Sequence, residues 1–180
     1  MLNVGIINIT GYAGAEIARL VYSHPELKLV SATGRSKAGK DLSEVFPHLE
    51  KTDIKIREEL SDDVEFVFSA LPHAASAEKL SQYVDSSIPA IDISADFRLK
   101  DLSTYEDWYD IKHPRPELID QATYGLPEIH RDDIKKSKLV ANPGCFPTGA
   151  ILSMSPAVKN DLIEDMIIID SKTGVSGAGR

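Results

Sequence analysis

The sequence predicts an α/β fold: a doubly wound, mostly parallel sheet, followed by the start of a second, α+β domain. Three observations carry this prediction. Short apolar, β-rich runs alternate with helical stretches over most of the chain. The first run, "LNVGIINI", is almost continuously apolar, as a strand covered on both faces must be. A strong apolar run near the end, "DMIIIDSKTG", follows a long helical stretch and leads into the glycine-rich "GVSGAGR". The expected domains are residues 1–148 and 149–180.

Leu2 to Ile9 is the first strand. Glycines follow, and "AEIARLVYSHP" places Ile17, Leu20 and Val21 at helical spacing, with Pro25 closing the helix. "LKLVSAT" and "VEFVFSAL" are the next two strands, and "AASAEKLSQYVDSS" is a helix behind the second of them. "PAIDIS" is a fourth strand and "KLVAN" another. Residues 97–137 are rich in charge, proline and aromatics. They read as a long loop with short helices, packed on the carboxyl edge of the sheet. "TGAILSMSPAVKN" is a helix, and "DMIIIDSKTG" a strand that opens the second domain.

Composition narrows the classes of function. The 180 residues are 42% hydrophobic and 27% charged, with a formal charge of -8. An acidic chain of this kind is not built to bind nucleic acid or an anionic membrane non-specifically. No apolar stretch approaches the roughly 18 residues of a membrane span, and the N-terminus has no basic region of the kind that opens a signal peptide. One cysteine forms no internal disulfide, as fits a reducing compartment. The expectation is a cytoplasmic protein.

The first glycines point to a ligand. In "GIINITGYAGAEI", Gly11 and Gly14 stand between a strand and a helix, with Asn8 where a dinucleotide turn usually has its first glycine. Asparagine tolerates left-handed backbone better than most residues. Such a turn brings main chain close to a pyrophosphate and aims a helix N-terminus at it; the alternative is a tight turn that binds nothing. The second strand ends in "SATGRSKAGK", with no acid to hold a ribose 2′-hydroxyl. Arg35, Ser36 and Lys37 instead offer a guanidinium, a hydroxyl and an ammonium, which suit a 2′-phosphate. The expected fold is therefore Rossmann-like and the expected cofactor NADP. A solvated basic loop is the plainer alternative.

Cys145, in "LVANPGCFPTGAIL", is the candidate nucleophile. Most free cysteines are buried packing. This one follows a strand and precedes a helix, at the sheet edge where doubly wound folds bind ligands. Pro147 is tolerated in the first helical turn, and the positive end of the helix favours a thiolate. Backbone N–H groups there can hold an oxyanion. A thiolate beside a nicotinamide fits attack on an activated acyl group, a thioester, and reduction to an aldehyde. With an acyl phosphate, inorganic phosphate leaves, and a histidine is the natural general acid.

"TGYAGAEIARL", "ALPHAASAE", "IDISADFRL", "YGLPEIHRDDI", "ANPGCFPTGAIL" and "SKTGVSGAGR" together resemble the semialdehyde dehydrogenase superfamily, and within it the N-acetyl-γ-glutamyl-phosphate reductases of arginine biosynthesis. Gly144 leans away from the aspartate-semialdehyde branch, which carries asparagine there. The resemblance implies NADPH-dependent reduction of the acyl phosphate to the semialdehyde through Cys145. It places Thr10, Gly11, Tyr12, Ala13 and Gly14 at the cofactor phosphates, Arg35, Ser36 and Lys37 at its adenosine end, Pro72 along it, and Ser176 and Gly177 at the nicotinamide. Arg98 and Asn142 are expected at the substrate, Arg98 on its phosphate unless it pairs with Asp96. The partners implied are a small-molecule substrate and, at full length, further copies in a dimer or tetramer. Residues 149–180 would begin the catalytic and dimerisation domain.

Two features depart from the family: Asn8 in the glycine turn, and length. Members are longer, and the acid/base histidine matches none of His24, His48, His73, His113 and His130. Those five lack metal-ligand spacing, and no metal is expected. The chain by itself is thus expected to be a cofactor domain with an incomplete active site. Two other readings remain at this point: a reductase for the carrier-linked aminoadipyl phosphate of lysine biosynthesis, and a non-catalytic NADP-binding module. A short-chain dehydrogenase is set aside, because no tyrosine has lysine four residues on.

Overall fold

The structure, a computed structural model, describes residues 1–49, 52–163 and 166–179. Seven strands form one sheet: β1 (Leu2–Ile7), β2 (Leu27–Thr33), β3 (Ile56–Arg57), β4 (Phe66–Ser69), β5 (Ala90–Asp92), β6 (Ala122–Tyr124) and β7 (Leu139–Ala141). The helices are α1 (Tyr12–Ser23), α2 (Leu42–Val45), α3 (Ala75–Asp85), α4 (Leu102–Tyr109), α5 (Pro127–Ile134) and α6 (Cys145–Lys159). The strand order is β3-β2-β1-β4-β5-β7-β6, and every pairing is parallel. The expected mixture is thus wholly parallel.

Strand alternation divides the core between the two faces. Val4 and Ile6 of β1 pack with Ala15, Ala18 and Val21 of α1, and with Leu29 and Ile56. Ile7 points the other way, into a cluster with Val67, Leu80 and Val84 of α3, Ala90 and Leu139. Fully burying side chains such as Ile6 or Leu80 contributes about 1.5–3 kcal/mol each.

The chain winds outward from β1 through β2 to β3, then returns to β4 on the other side of β1. That reversal is a topological switch point, and it opens a crevice above the carboxyl ends of β1 and β4.

Three regions differ from the sequence expectation. The stretch 97–137 holds helices, but it also supplies β6, which pairs with β7 and closes the far edge of the sheet. Helix α6 begins at Cys145 rather than Thr148, with Pro147 in its first turn. The run "DMIIIDSKTG" forms no strand from Met166 onward: Met166 and Ile168 are 81% and 87% exposed, and none of the seven strands borders it. A strand needs a neighbour for its N–H and C=O groups, and this run has none among the described residues. Asp165, at its start, and Arg180, at the end of "GVSGAGR", lie outside the described residues. Among those described, no helix is long and apolar enough to cross a membrane.

Candidate active site

The turn after β1 is set by Asn8, whose φ is +61°. This is left-handed backbone, which asparagine adopts at less expense than most side chains. Its backbone N–H donates to Thr33 Oγ1 at 3.3 Å, and the Ile9 N–H to the Thr33 carbonyl at 2.9 Å, so the turn is locked to the end of β2. Asn8 Nδ2 donates to the Ala70 carbonyl at 2.8 Å, reaching the loop after β4.

Gly14 and Gly11 differ in why they are glycines. A Cβ on Gly14 would lie 2.6 Å from both the Asn8 carbonyl oxygen and Ile9 Cα, so α1 approaches the β1 turn only without one. A Cβ on Gly11 would meet nothing within 4 Å. Gly11 is the residue just before α1, in extended backbone, and no side chain caps the helix. The first-turn N–H groups of α1 therefore face the crevice without an intrahelical carbonyl to bond.

The crevice is a cleft of about 810 Å³. Thr10, Gly11, Tyr12, Ala13, Ser36, Lys37, Pro72, Ser176 and Gly177 all line it. Arg35 lines an adjoining lobe of about 580 Å³, with Asn8, Thr10, Ser36, Leu71 and Pro72 common to both. Gly14 lies buried beneath, in α1. Arg35 to Lys37 form a single 3-10 turn at the end of β2, and among the described residues neither Arg35 nor Lys37 enters an ion pair. Glu59, in the same lobe, is paired with Lys79.

Cys145 is the first residue of α6 and is exposed. It does not line the cleft. The connection runs through Arg98 and Ile93: Arg98 Nη2 donates to the Ile93 carbonyl at 2.7 Å, and Ile93 lines the cleft. Arg98 Nε donates to the Asn142 carbonyl at 2.7 Å, three residues before Cys145. Arg98 makes no ion pair with Asp96. Its Nη1 would stand 3.2 Å from a Cβ on Gly144. Asn142 is itself committed: its N–H donates to the Asp92 carbonyl at 2.8 Å and its Nδ2 to the Pro143 carbonyl at 3.0 Å. The guanidinium thus pins the loop after β7 to the loop after β5.

Two buried carboxyl groups lie under the site; the sequence points to Asp96 only as an alternative partner for Arg98, and to Asp92 not at all. Asp92, at the end of β5, accepts from Ser76 Oγ at 2.5 Å, Ser94 Oγ at 2.6 Å and Ser94 N–H at 3.0 Å. Burial pushes its pKa above the ordinary value, against the pull of the serine hydrogen bonds; Asp96 adds to the rise. Asp96 accepts from the Ala74 and Ala77 N–H groups at 2.7 and 2.8 Å and from Tyr105 Oη at 2.8 Å. Burial and then this hydrogen bond push the Tyr105 pKa upward. The clue in the sequence was "DISAD": short polar side chains alternating just past a strand end, the pattern that satisfies loop N–H groups locally.

Of the five histidines, His113 is buried and structural. Its Nδ1 accepts from the Arg115 N–H at 3.1 Å, which leaves Nε2 to donate to the Asp96 carbonyl at 2.8 Å. His24, His48 and His73 are exposed and His130 half-buried. Among the described residues no group of His, Cys, Asp and Glu could hold a metal ion.

Comparison with known proteins adds identity to this geometry. A model described as the NAD-binding domain of semialdehyde dehydrogenase matches residues 3–137, and one described as their dimerisation domain matches residues 145–180. The N-acetyl-γ-glutamyl-phosphate reductase of Dehalococcoides mccartyi is 54% identical over 176 residues, covering 98% of this chain and 52% of that protein. That of Methanosphaera stadtmanae is 49% identical over 180 residues, covering 99% and 52%. The chain spans about half the length of these curated relatives. Aspartate semialdehyde dehydrogenase with NADP from Candida albicans aligns with a TM-score of 0.64 at 15% identity, over 88% of this chain and 47% of that one. The enzyme from Vibrio cholerae complexed with ASA gives 0.63 at 15%, over 88% and 47%. These two show likeness of fold.

Proposed function

The chain belongs to the semialdehyde dehydrogenase family, and from that premise we propose that it forms the cofactor-binding half of an NADPH-dependent acyl-phosphate reductase. The substrate we infer is N-acetyl-γ-glutamyl phosphate, the one named by relatives 45–54% identical to it, which places the reaction in arginine biosynthesis. The observation that carries the reading is the cleft at the switch point, where Thr10 to Ala13, Ser36, Lys37, Pro72, Ser176 and Gly177 meet.

The residues present fit a dinucleotide phosphate. Gly11 has no packing duty, so its bare backbone serves close approach of a ligand. The free N–H groups of the first turn of α1 suit a pyrophosphate. Arg35, Ser36 and Lys37 suit a 2′-phosphate. When bound, NADPH supplies the hydride that takes an acyl group to the aldehyde level.

Cys145 is the acyl acceptor in this proposal. Its thiolate attacks the acyl carbon, phosphate departs with the electron pair of the broken C–O bond, and a thioester remains. The N–H groups of Cys145 and Phe146, at the start of α6, have no intrahelical carbonyl and can hold the oxyanion. Pro147 has no N–H to add. Arg98 holds the Cys145 turn through Asn142, and its Nη1, beside Gly144, is placed to meet the substrate phosphate.

On this reading residues 1–148 are the cofactor domain and 149–180 begin the catalytic and dimerisation domain. The full-length protein works as a dimer or tetramer on a small-molecule substrate in the cytoplasm. Support for assembly is the match to a dimerisation domain, together with a groove of about 780 Å³ lined by Ile129, Ile151, Met154, Ile167 and Ile169.

The test is a phosphate-dependent assay on the full-length protein. N-acetylglutamate semialdehyde, NADP and phosphate should yield NADPH, and Cys145→Ser should abolish the signal. An unchanged rate in Cys145→Ser removes the thioester step. Equal activity on the aminoadipyl analogue removes the substrate assignment.

A further inference from the structure

The loop between β4 and α3, residues 70–74, supplies Ala70, Leu71 and Pro72 to the cleft. It is held at both ends by side chains from elsewhere. Asn8 holds the Ala70 carbonyl at one end. At the other, Ala74 has φ +62° and ψ −51°, and the Ala75 N–H donates back to the His73 carbonyl at 2.8 Å. This is a γ-turn with positive φ, a rare and strained backbone for a residue with a Cβ. A strained conformation persists only where its surroundings over-determine it.

Asp96 Oδ1 receives the Ala74 N–H, and Oδ2 receives the Ala77 N–H in the first turn of α3. Tyr105 Oη, from α4, donates to the same Oδ1. Asp96 and Tyr105 are both fully buried. The Asp96 carbonyl is fixed in turn by His113 Nε2. Helix α4 also touches the loop directly, with the Tyr109 ring 5.2 Å from that of His73 and 4.9 Å from that of Tyr105.

We propose that Asp96, held by Tyr105, is a positioning residue for cofactor binding: it keeps Ala74 in the strained turn and so presents Leu71 and Pro72 to the cleft. The irregular stretch 97–137 then serves the active site at a distance, through α4. The proposal rests on the cofactor reading above and adds residues that touch neither cofactor nor substrate.

A rescue experiment separates positioning from plain structural support. Asp96→Asn places an amide N–H against a backbone N–H at one of the two oxygens, so the hold on Ala74 or the hold on Ala77, in the first turn of α3, is lost and the clamp across the turn is broken. In the full-length protein this should raise KM for NADPH about tenfold while kcat stays within about twofold. Glycine adopts the Ala74 conformation without a Cβ penalty. Ala74→Gly in the Asp96→Asn background should therefore restore KM to within about threefold of the unaltered protein. A residue that merely supports the fold is not rescued by glycine at 74. Tyr105→Phe, a milder change, should shift KM the same way by less, and stands in if Asp96→Asn does not fold. Unchanged KM in the variants that fold overturns the proposal, as does a loss that Ala74→Gly fails to restore. Direct titration of the unaltered protein with NADPH keeps the two levels apart. No binding there overturns the cofactor reading and the positioning role with it; binding that is indifferent to these variants overturns the positioning role alone.

Discussion

Asn8 donates its side-chain amide to the carbonyl of Ala70 at 2.8 Å, tying the turn that opens α1 to the loop that follows β4. The residue that departs from a glycine fingerprint thus does something glycine cannot. Asn8→Gly keeps the left-handed backbone but leaves the Ala70 carbonyl without this donor. It should lower stability by about 1 kcal/mol, the typical net worth of one such bond. Asn8→Ala loses the bond and adds left-handed strain, so it should lose about 1 kcal/mol more. Urea unfolding of the three proteins reads the order directly; Asn8→Gly matching the unaltered protein would show that the tie contributes nothing.

Gly11 and Gly14 should separate binding from folding. Gly14→Ala drives a Cβ into backbone atoms of Asn8 and Ile9, so α1 must move. The expected loss of stability is about 1–3 kcal/mol or more. Gly11→Ala meets only open space within the chain. It should leave the unfolding midpoint near that of the unaltered protein, yet weaken NADPH binding. Thermal unfolding alongside cofactor titration checks both, and a Gly11→Ala protein that binds NADPH normally would deny close approach of a ligand at that point.

Arg35→Ala should weaken NADP binding roughly 10- to 100-fold, the worth of a charge-assisted hydrogen bond, with little effect on NAD. Equal losses for the two cofactors would mean that Arg35 does not read the 2′-phosphate.

Asp92 gives a pH signature. Its folded-state pKa is raised, chiefly by burial, so the native chain holds its proton more tightly than the unfolded chain does. Stability from this group is present below the unfolded carboxyl pKa. It is lost as pH rises from there through the raised folded value. Asp92→Asn is neutral at every pH; its oxygen can accept from Ser76 and the Ser94 N–H, and its amide can donate to Ser94 Oγ. The variant should therefore gain on the unaltered protein as pH increases across that window. Unfolding at several pH values in the pair tests this, and parallel curves would contradict it.

Much of this molecule was legible in its residues because its logic is local. Strands β1, β2, β4, β5 and β7 are short apolar runs, and α1 and α3 have apolar faces at helical spacing. Thr10 to Ala13, Ser36, Lys37 and Pro72 follow strand ends, where a parallel sheet gathers them whatever else it does; Ser176 and Gly177 follow no strand, and only the family resemblance pointed to them. Ile56–Arg57 and Ala122–Tyr124 were not legible as strands. Two or three residues carry no period, and only their pairing with Ala32–Thr33 and Leu139–Ala141 makes them sheet. The opposite error came at Met166–Ile169, where strong β character met no partner. The pairing of Asp96 with Tyr105 stayed hidden for a related reason. Nine residues apart in sequence, they meet only because α4 folds back over the loop before α3.

The strand order carries a consequence for how the chain assembles. Of the seven strands described, β7 comes last in sequence, yet it lies inside the sheet, between β5 and β6. Until residues 139–141 arrive, Ala122–Tyr124 has no strand to pair with, and the edge of β5 stays open. A ribosome that has delivered β6 has therefore not delivered a finished edge; the gap waits for a three-residue wedge. Four residues after that wedge comes Cys145. Closure of this gap in the sheet and presentation of Cys145 at the start of α6 are thus coupled through a few residues of chain, so the thiol takes its place only on a seam that has just been shut.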